Sequence, residues 1–278
     1  MPHTAPISRF TPTLFVIVAD QSGSMNESLS LPGEPSLSRA QALADSINHL
    51  LANLVVQNTQ GTEVWDRFHV GVILYNGNGA SVPPAFGGLR ALSEVADNPL
   101  RVETRSQEFF DGAGGIGRRD VRFPVWFDPQ ASGGTPMCEA LGLAHSLIQP
   151  WCEAHPDSFP PIVMNITDGE STDGDPLEAL ERLKSCGTRD GSVLVFNALL
   201  SNGTGAGSAY PSNSEDFPAG PLQSLVRGTS VIPETMLRRA EAILDGRKLQ
   251  PGARGVVIQA HILDVIRLLD IGTRAPLG

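Results

Sequence analysis

The sequence has few cysteines, few aromatic residues and no long apolar run. Its 278 residues include three cysteines, and aromatic residues make up 6% of the chain. An odd number of cysteines without a Cys-x-x-Cys spacing favours free thiols over a disulfide framework. No stretch approaches the ~20 consecutive apolar residues that a membrane helix requires. We therefore expect a globular chain with reduced cysteines, each more often a small buried hydrophobe than a nucleophile.

Positive charge is also scarce. The chain has 20 Lys and Arg against 30 Asp and Glu, which gives a formal net charge of −10. Such a surface repels nucleic-acid phosphates and anionic lipids, so we expect neither nucleic acid nor a membrane as a partner. The first ten residues contain no basic region followed by an apolar one, so no signal peptide is evident. These absences predict a cytoplasmic protein.

An apolar run at residues 14–19 organises the rest of the chain. Its β-branched and aromatic residues, in so short a run, predict a buried parallel strand. Ligands of open α/β sheets bind beyond the carboxyl ends of such strands. Asp20, Ser22 and Ser24 follow the run directly and offer one carboxylate and two hydroxyl groups. Oxygen ligands of this kind suit a hard cation such as Mg²⁺.

Two later segments complete this set of oxygen ligands. Thr135 lies in a Ser-Gly-Gly-Thr-Pro loop before a predicted helix, and Asp168 follows a second apolar strand. Asp20, Ser22 and Ser24, then Thr135, then Asp168 in Thr-Asp-Gly resemble the metal-ion-dependent adhesion site of von Willebrand factor type A domains. Acids and serines also cap helices. The capping alternative is less favoured because three separate segments would have to imitate the site together.

The resemblance extends over roughly residues 12–270 and implies an architecture. Domains of this family are α/β, with a doubly wound, mostly parallel sheet and helices on both faces. We expect residues 1–10 to form a flexible tail and 11–273 a single domain. An insertion is expected around 80–122, and a C-terminal extension from about residue 201.

The resemblance also implies ligand roles. Ser22, Ser24 and Thr135 would contact Mg²⁺, with Mn²⁺ and Ca²⁺ as alternatives. Asp20 and Asp168 would contact the ion directly or through water and would hold the hydroxyl groups in place. A position left open on the metal would take a carboxylate from a partner protein. The rim of the site is expected to include Met25, Asn26 and Glu170.

Further segments resemble a bacterial cytoplasmic branch of the family. They are residues 124–129, 133–138, 155–161 and 269–273. Members of this branch are associated with signalling and stress modules that include protein kinases and metal-dependent phosphatases. The sequence itself carries no kinase or phosphatase motif. The resemblance therefore implies a partner in a signalling or stress system.

Two functions from different classes follow from the same residues. The first is a non-catalytic, metal-dependent adaptor, and the alternative is a Mg²⁺-dependent phosphohydrolase with Asp20 as nucleophile. Phosphatase families that use a strand-end Asp generally place a second acid two residues later, where this chain has Ser22. The three metal segments contain no His or Lys to act as a base. The adaptor is therefore favoured, and we expect the protein not to be an enzyme.

Hydrophobic periodicity predicts the remaining elements. A G-x-G-x-x-G match at 112–117 lacks a surrounding βαβ unit, so we expect a surface loop and no nucleotide site. Asp173 and Asp175 are expected to cap turns and helices. Helices are predicted over 37–57, 89–96, 135–149, 177–183, 222–226, 234–244 and 260–269, and strands over 66–75, 81–86, 121–127, 162–167, 193–200 and 255–258.

Overall fold

A computed structural model describes most of the chain. It covers residues 3–29, 37–84, 86–110, 116–200, 208–244, 246, 248–260, 267–268 and 270–271. Most of the glycine motif at 112–117 and most of the predicted last helix lie outside these residues. No helix in the described part of the chain is both long enough and apolar enough to span a membrane.

The described residues form sixteen strands, eight of which make one sheet and the rest four two-stranded pairs. In chain order they are β1 (Thr13–Asp20), β2 (Ser28–Leu29), β3 (Leu37–Ser38), β4 (Thr59–Gln60), β5 (Glu63–Val64), β6 (Phe68–Asn76), β7 (Gly79–Ser81), β8 (Arg90–Ala91), β9 (Arg101–Phe110), β10 (Ile116–Val125), β11 (Ile162–Thr167), β12 (Gly187–Thr188), β13 (Gly191–Ser192), β14 (Leu194–Leu200), β15 (Ser208–Ala209) and β16 (Val256–Ala260).

The same residues form six α-helices and two short 3₁₀ helices, Gly23–Asn26 and Ser214–Asp216. In the first of the α-helices, Arg39–Gln57, Ser38 caps the first turn by accepting the Gln41 N–H group, so the helix begins after the cap. The α-helices are α1 (Arg39–Gln57), α2 (Leu92–Asp97), α3 (Met137–Ala154), α4 (Leu177–Ser185), α5 (Pro221–Gly228) and α6 (Glu234–Ile243).

The central sheet has the strand order β15-β16-β14-β11-β1-β6-β7, with β8 also pairing with β6. Neighbouring strands from β16 to β6 run parallel. The outer strands β15, β7 and β8 run antiparallel to their neighbours. From β1 the chain winds first toward β6 and later returns to continue through β11 and beyond. This is the doubly wound, mostly parallel α/β fold expected from the sequence.

Strand β1 divides the apolar interior into two layers. Phe15 and Ile17 pack in the same buried cluster as Leu51 of α1. Val16 packs on the opposite face, in a cluster with Leu141 of α3. Successive side chains of a strand alternate between faces, so a strand covered on both sides must be apolar throughout. All eight residues of β1, including Asp20 at its end, are buried. The polar loop that begins at Gln21 therefore follows directly from a buried strand.

Four details differ from the sequence predictions. Residues 3–10 pack against the domain and are not a flexible tail, because Ile7 is buried in the core and the N–H groups of Thr4 and Ala5 donate to the Asp190 side chain. The edge strand is Gly79–Ser81, not 81–86, because Pro83 and Pro84 cannot donate ladder hydrogen bonds. The predicted strand at 121–127 is the second arm of a long hairpin whose first arm, β9, was not predicted. Helix α3 continues through Pro150 to Ala154 and has Pro136 as its cap residue, outside the first turn.

Candidate functional site

Three loops meet at the carboxyl ends of β1 and β11, where the strand order reverses. Backbone hydrogen bonds hold them together: the Ser132 N–H donates to Gln21 O at 2.7 Å, and the Gly23 N–H donates to Gly133 O at 2.8 Å. The loop after β6 joins them, since the Gly77 N–H donates to Ser132 O at 3.0 Å. Strand ends at such a reversal are the usual ligand-binding position of doubly wound sheets.

Asp20 is the most enclosed acid of the site. Its side chain is fully buried, and its Oδ1 accepts the Ser22 N–H at 2.8 Å. The Thr167 hydroxyl donates to Oδ2 at 2.6 Å. Burial raises the pKa of Asp20, these hydrogen bonds oppose the rise, and the nearby charge of Asp168 adds to it. The carboxylate is therefore held in one orientation by donors on both oxygens.

A chain of short contacts connects the remaining strand-end residues. The hydroxyl oxygens of Ser22 and Ser24 lie 3.0 Å apart. The Ser24 hydroxyl donates to Asp168 Oδ1 at 2.7 Å. The structure thus brings Ser22, Ser24 and Asp168 from two strands into one row of oxygens beside Asp20.

The other oxygen of Asp168 binds a positive charge that sequence reasoning missed. Arg39, the first residue of α1, donates from Nη1 to Asp168 Oδ2 at 2.7 Å. Its Nη2 lies 3.1 Å from Glu27 Oε2. The local sequence gave little indication that Arg39 belongs to the site, because an Arg at the start of a helix is usually an ordinary surface residue. Thr167 was also missed, although it directly precedes Asp168 in the strand.

Thr135 is buried in the adjoining loop, which reciprocal contacts hold in place. The Thr135 N–H donates to the Thr172 hydroxyl at 3.0 Å, and the Thr172 N–H donates back to Thr135 O at 2.9 Å. Asp173 accepts the N–H groups of Cys138 and Glu139 at 3.0 and 2.9 Å. The start of α3 is thereby tied to the loop that follows Asp168.

The expected rim requires one correction. Met25 is fully buried in the core on the α1 side of the sheet, so it does not line an exposed rim. Met25 is the buried residue of the 3₁₀ helix Gly23–Asn26. Asn26 and Glu170 are exposed, and the Asn26 side chain donates to Ala131 O at 3.4 Å.

The nearby acids and thiols have structural roles. Asp175 caps α4 by accepting the Leu177 N–H at 2.9 Å, and Asp173 caps α3, so both acids cap helices as predicted. Cys138, Cys152 and Cys186 are free thiols. Burial raises the pKa of all three, and that of Cys152 reaches about 12. None of these thiols has the lowered pKa of a reactive nucleophile.

The oxygen row offers hydroxyl and carboxylate groups, the ligand types that a hard cation takes. Its oxygens lie 3.0 Å apart between Ser22 and Ser24 and 2.7 Å apart between Ser24 and Asp168, because hydrogen bonds join them. Among the described residues, no group of three or more His, Cys, Asp and Glu could hold a metal. A metal bound here would therefore depend on the hydroxyl groups.

Comparison with known proteins gives only weak similarities. No protein-family model and no curated protein matches the chain. The von Willebrand factor domain of the type V pili tip protein Mfa5 from Porphyromonas gingivalis is 15% identical, with a TM-score of 0.32, over 58% of this chain and 39% of that one. An uncharacterized membrane spanning protein from Vibrio fischeri is 17% identical, with a TM-score of 0.27, over 68% of this chain and 71% of that one. The chain thus spans well under half of the pilus protein, and such similarities assign it no ligand or activity.

Proposed function

We propose that this chain is a non-catalytic protein-interaction module that binds Mg²⁺ or Mn²⁺ and, through the metal, a carboxylate of a partner protein. One observation carries the proposal: a row of oxygens from Ser22, Ser24 and Asp168 lies beside Asp20 at the reversal of strand order. Thr135 is the further candidate ligand, and its loop is joined by backbone hydrogen bonds to Gln21 and Gly23. The resemblance to von Willebrand factor type A domains agrees with this assignment of ligands.

The chemistry of the donor set explains why a partner would be needed. Hydroxyl ligands are neutral, and the carboxylates of Asp20 and Asp168 are already engaged by hydrogen bonds and by Arg39. When bound, the metal would supply an electrophilic centre whose charge these residues neutralise only in part. A glutamate or aspartate side chain of another protein complements such a centre. The resemblance to the bacterial branch directs the partner search to signalling and stress modules.

The same contacts weigh against the phosphohydrolase alternative. Asp20 is fully buried and its two oxygens already accept hydrogen bonds, so it is poorly placed to attack the phosphorus atom of a substrate. A phosphatase assay with generic substrates, compared with a chelated control, tests this point. We expect no metal-dependent turnover.

The function is tested with Asp20→Ala and Thr135→Ala. Loss of Asp20 removes a negative charge and releases the loop at Ser22, so Mn²⁺ affinity measured by calorimetry should fall most in this variant. Thr135→Ala removes one neutral oxygen and should weaken partner capture from extract more than it weakens metal binding. Capture by wild type should require Mg²⁺ and disappear with chelator. Capture by Asp20→Ala equal to that of wild type in Mg²⁺ would refute the proposed binding surface.

A further inference from the structure

Arg39 places a buried positive charge beside the candidate metal ligands. Its side chain is 9% exposed, and the Asp168 side chain with which it pairs is fully buried. Its second nitrogen contacts Glu27, whose side chain is 59% exposed. The buried Nε of Arg39 has no hydrogen-bond partner within the part of the chain that the structure describes. A guanidinium buried with an unsatisfied N–H is costly, so its position calls for a compensating interaction.

Helix formation does not explain this arginine. Arg39 is the first residue of α1, and Ser38 already caps the helix. The start of a helix carries a partial positive charge, so a cation there is unfavourable. The compensation must come from the acids that Arg39 contacts. Of these, only Asp168 is buried, and buried pairs are screened by solvent much less than exposed ones.

We propose that Arg39 is the internal counter-cation of the Asp20–Asp168 site, and that it tunes the site toward a carboxylate ligand. This inference rests in part on the proposed function, because its second half concerns the metal-loaded state. Two buried carboxylates and one guanidinium carry a single net negative charge. A divalent ion bound among them leaves a single net positive charge, which one carboxylate of a partner neutralises. Glu27, being largely in solvent, contributes little to this balance.

The charge of Arg39 has opposite effects on the affinity of the site for a metal ion and on the affinity of the metal-loaded site for an anion. Arg39 repels an incoming cation and occupies one oxygen of Asp168, so it lowers the affinity of the site for metal. It also keeps the loaded site positive, so it raises the affinity of that site for an anion. Without metal, it offsets the repulsion between Asp20 and Asp168. An arginine whose only role was packing against the helix would not change metal affinity and anion affinity in opposite directions.

The test compares Arg39→Gln, which removes the charge, with Arg39→Lys, which keeps it. Arg39→Gln should bind Mn²⁺ at least about tenfold more tightly than wild type, the scale of one charge removed from a partly buried site. Arg39→Lys should stay within about threefold of wild type. Arg189→Gln is the matched control: it also removes one positive charge, but from an exposed pair with Asp157 in the loop that precedes β11. It should bind Mn²⁺ as wild type does.

Acetate serves as the carboxylate probe. Mn²⁺ titrations are repeated with sodium acetate in place of an equal concentration of sodium chloride. An anion that binds the loaded site raises the apparent metal affinity by the same coupling factor. Acetate should therefore tighten Mn²⁺ binding in wild type more than in Arg39→Gln. Equal or greater enhancement in Arg39→Gln would overturn the proposed selection of a carboxylate.

Metal-free stability separates this inference from the proposed function. In chelator, Arg39→Gln should lower the Tm by several degrees, and adding Asp168→Asn should restore much of the loss. An Arg39→Gln variant with an unchanged Tm, or with Mn²⁺ affinity no higher than that of wild type, overturns the counter-cation role. If no form of the protein binds Mn²⁺ or Mg²⁺, the proposed function fails. The metal-free Tm values then decide the role of Arg39 alone.

Discussion

At the scale of single residues, Thr167 determines how well the buried Asp20 carboxylate is satisfied. Thr167→Val keeps the side-chain shape and removes the donor that lies 2.6 Å from Asp20 Oδ2. The free energy of unfolding, measured with urea, should fall by about 1.5–3 kcal/mol, the range for a hydrogen bond to a charged group.

Thr13→Val is the matched control for this change. Thr13 is equally buried in a strand, but its hydroxyl donates to the backbone oxygens of Phe159 and Pro160, which are neutral. Its loss should cost about 0.5–1.5 kcal/mol. The interpretation of Asp20 as a buried, ionised acid is wrong if Thr167→Val costs no more than Thr13→Val.

His69 makes stability depend on pH far from the candidate site. Trp151 donates from its ring N–H to His69 Nδ1 at 2.9 Å, and burial, followed by the charge of His155, lowers the pKa of His69. Asp66 and Glu94 oppose this shift. The pKa of His69 in the folded state lies below the ordinary value of 6.5. As pH falls, the unfolded state therefore binds more protons than the folded state does. The stabilising contribution is present above pH 6.5 and is lost as pH falls below it.

His69→Gln tests this pH dependence, because glutamine can still accept the Trp151 N–H but does not titrate. The free energy of unfolding should fall less between about pH 7.5 and 5.5 in the variant than in wild type. His145→Gln is the comparison variant: burial, followed by the charge of Arg182, also lowers the pKa of His145, so its loss should change the pH profile in the same direction. A pH profile of His69→Gln that is superimposable on wild type would contradict the assignment.

At the scale of elements, the loop after β6 supports the Thr135 loop through glycine. A Cβ atom added to Gly77 would lie 2.7 Å from Gly133 Cα and 3.0 Å from Gly134 N. Backbone atoms cannot yield as a flexible side chain can, so Gly77→Ala should displace the loop that carries Thr135. We expect a loss of about 1–3 kcal/mol in unfolding free energy, and a severalfold loss of Mn²⁺ affinity by calorimetry.

Gly142→Ala controls for the glycine substitution itself. Gly142 lies in α3, and a Cβ there would meet nothing within 4 Å. Alanine in a helix interior should add up to about 1 kcal/mol of stability and leave metal binding unchanged. Should Gly77→Ala bind Mn²⁺ as tightly as Gly142→Ala, the loop contact does not position the site.

At the scale of the whole molecule, the C-terminal segment completes the central sheet. Strand β16 pairs with β14 in parallel, and β15 pairs with β16. Val257, Met236 and Ala240 lie in the same buried cluster as β1 residues. A segment that contributes to a shared core has too little apolar surface of its own to fold alone.

Limited proteolysis tests this single-domain organisation. We expect cleavage near 203–215 or 111–118, and the pieces should stay associated under native conditions. A fragment of residues 221–278, expressed alone, should give the circular dichroism spectrum of an unfolded chain. A cooperative thermal transition in that fragment would show that the C-terminal segment is an independent domain.

Hydrophobic periodicity alone predicted the regular elements and the class of the fold. The strand at 162–167 was predicted with its observed bounds, and α1 was predicted to within two residues of its start. Short continuous apolar runs rich in β-branched residues are typical of strands covered on both faces, so they favour a parallel sheet. Parallel strands present their carboxyl ends at one edge, so Asp20 and Asp168 could be placed together from sequence alone.

The contacts between distant side chains could not be predicted from the sequence. Arg39 pairs with Asp168 across 129 residues, and Thr167 binds Asp20 across 147. Met25 turns into the core, and the hairpin of β9 and β10 pairs charged segments that lack apolar alternation. The physical reason is that periodicity reports only whether a residue faces the interior of its own element. Which groups then touch depends on how helices and strands are placed against one another, and no local pattern encodes that placement.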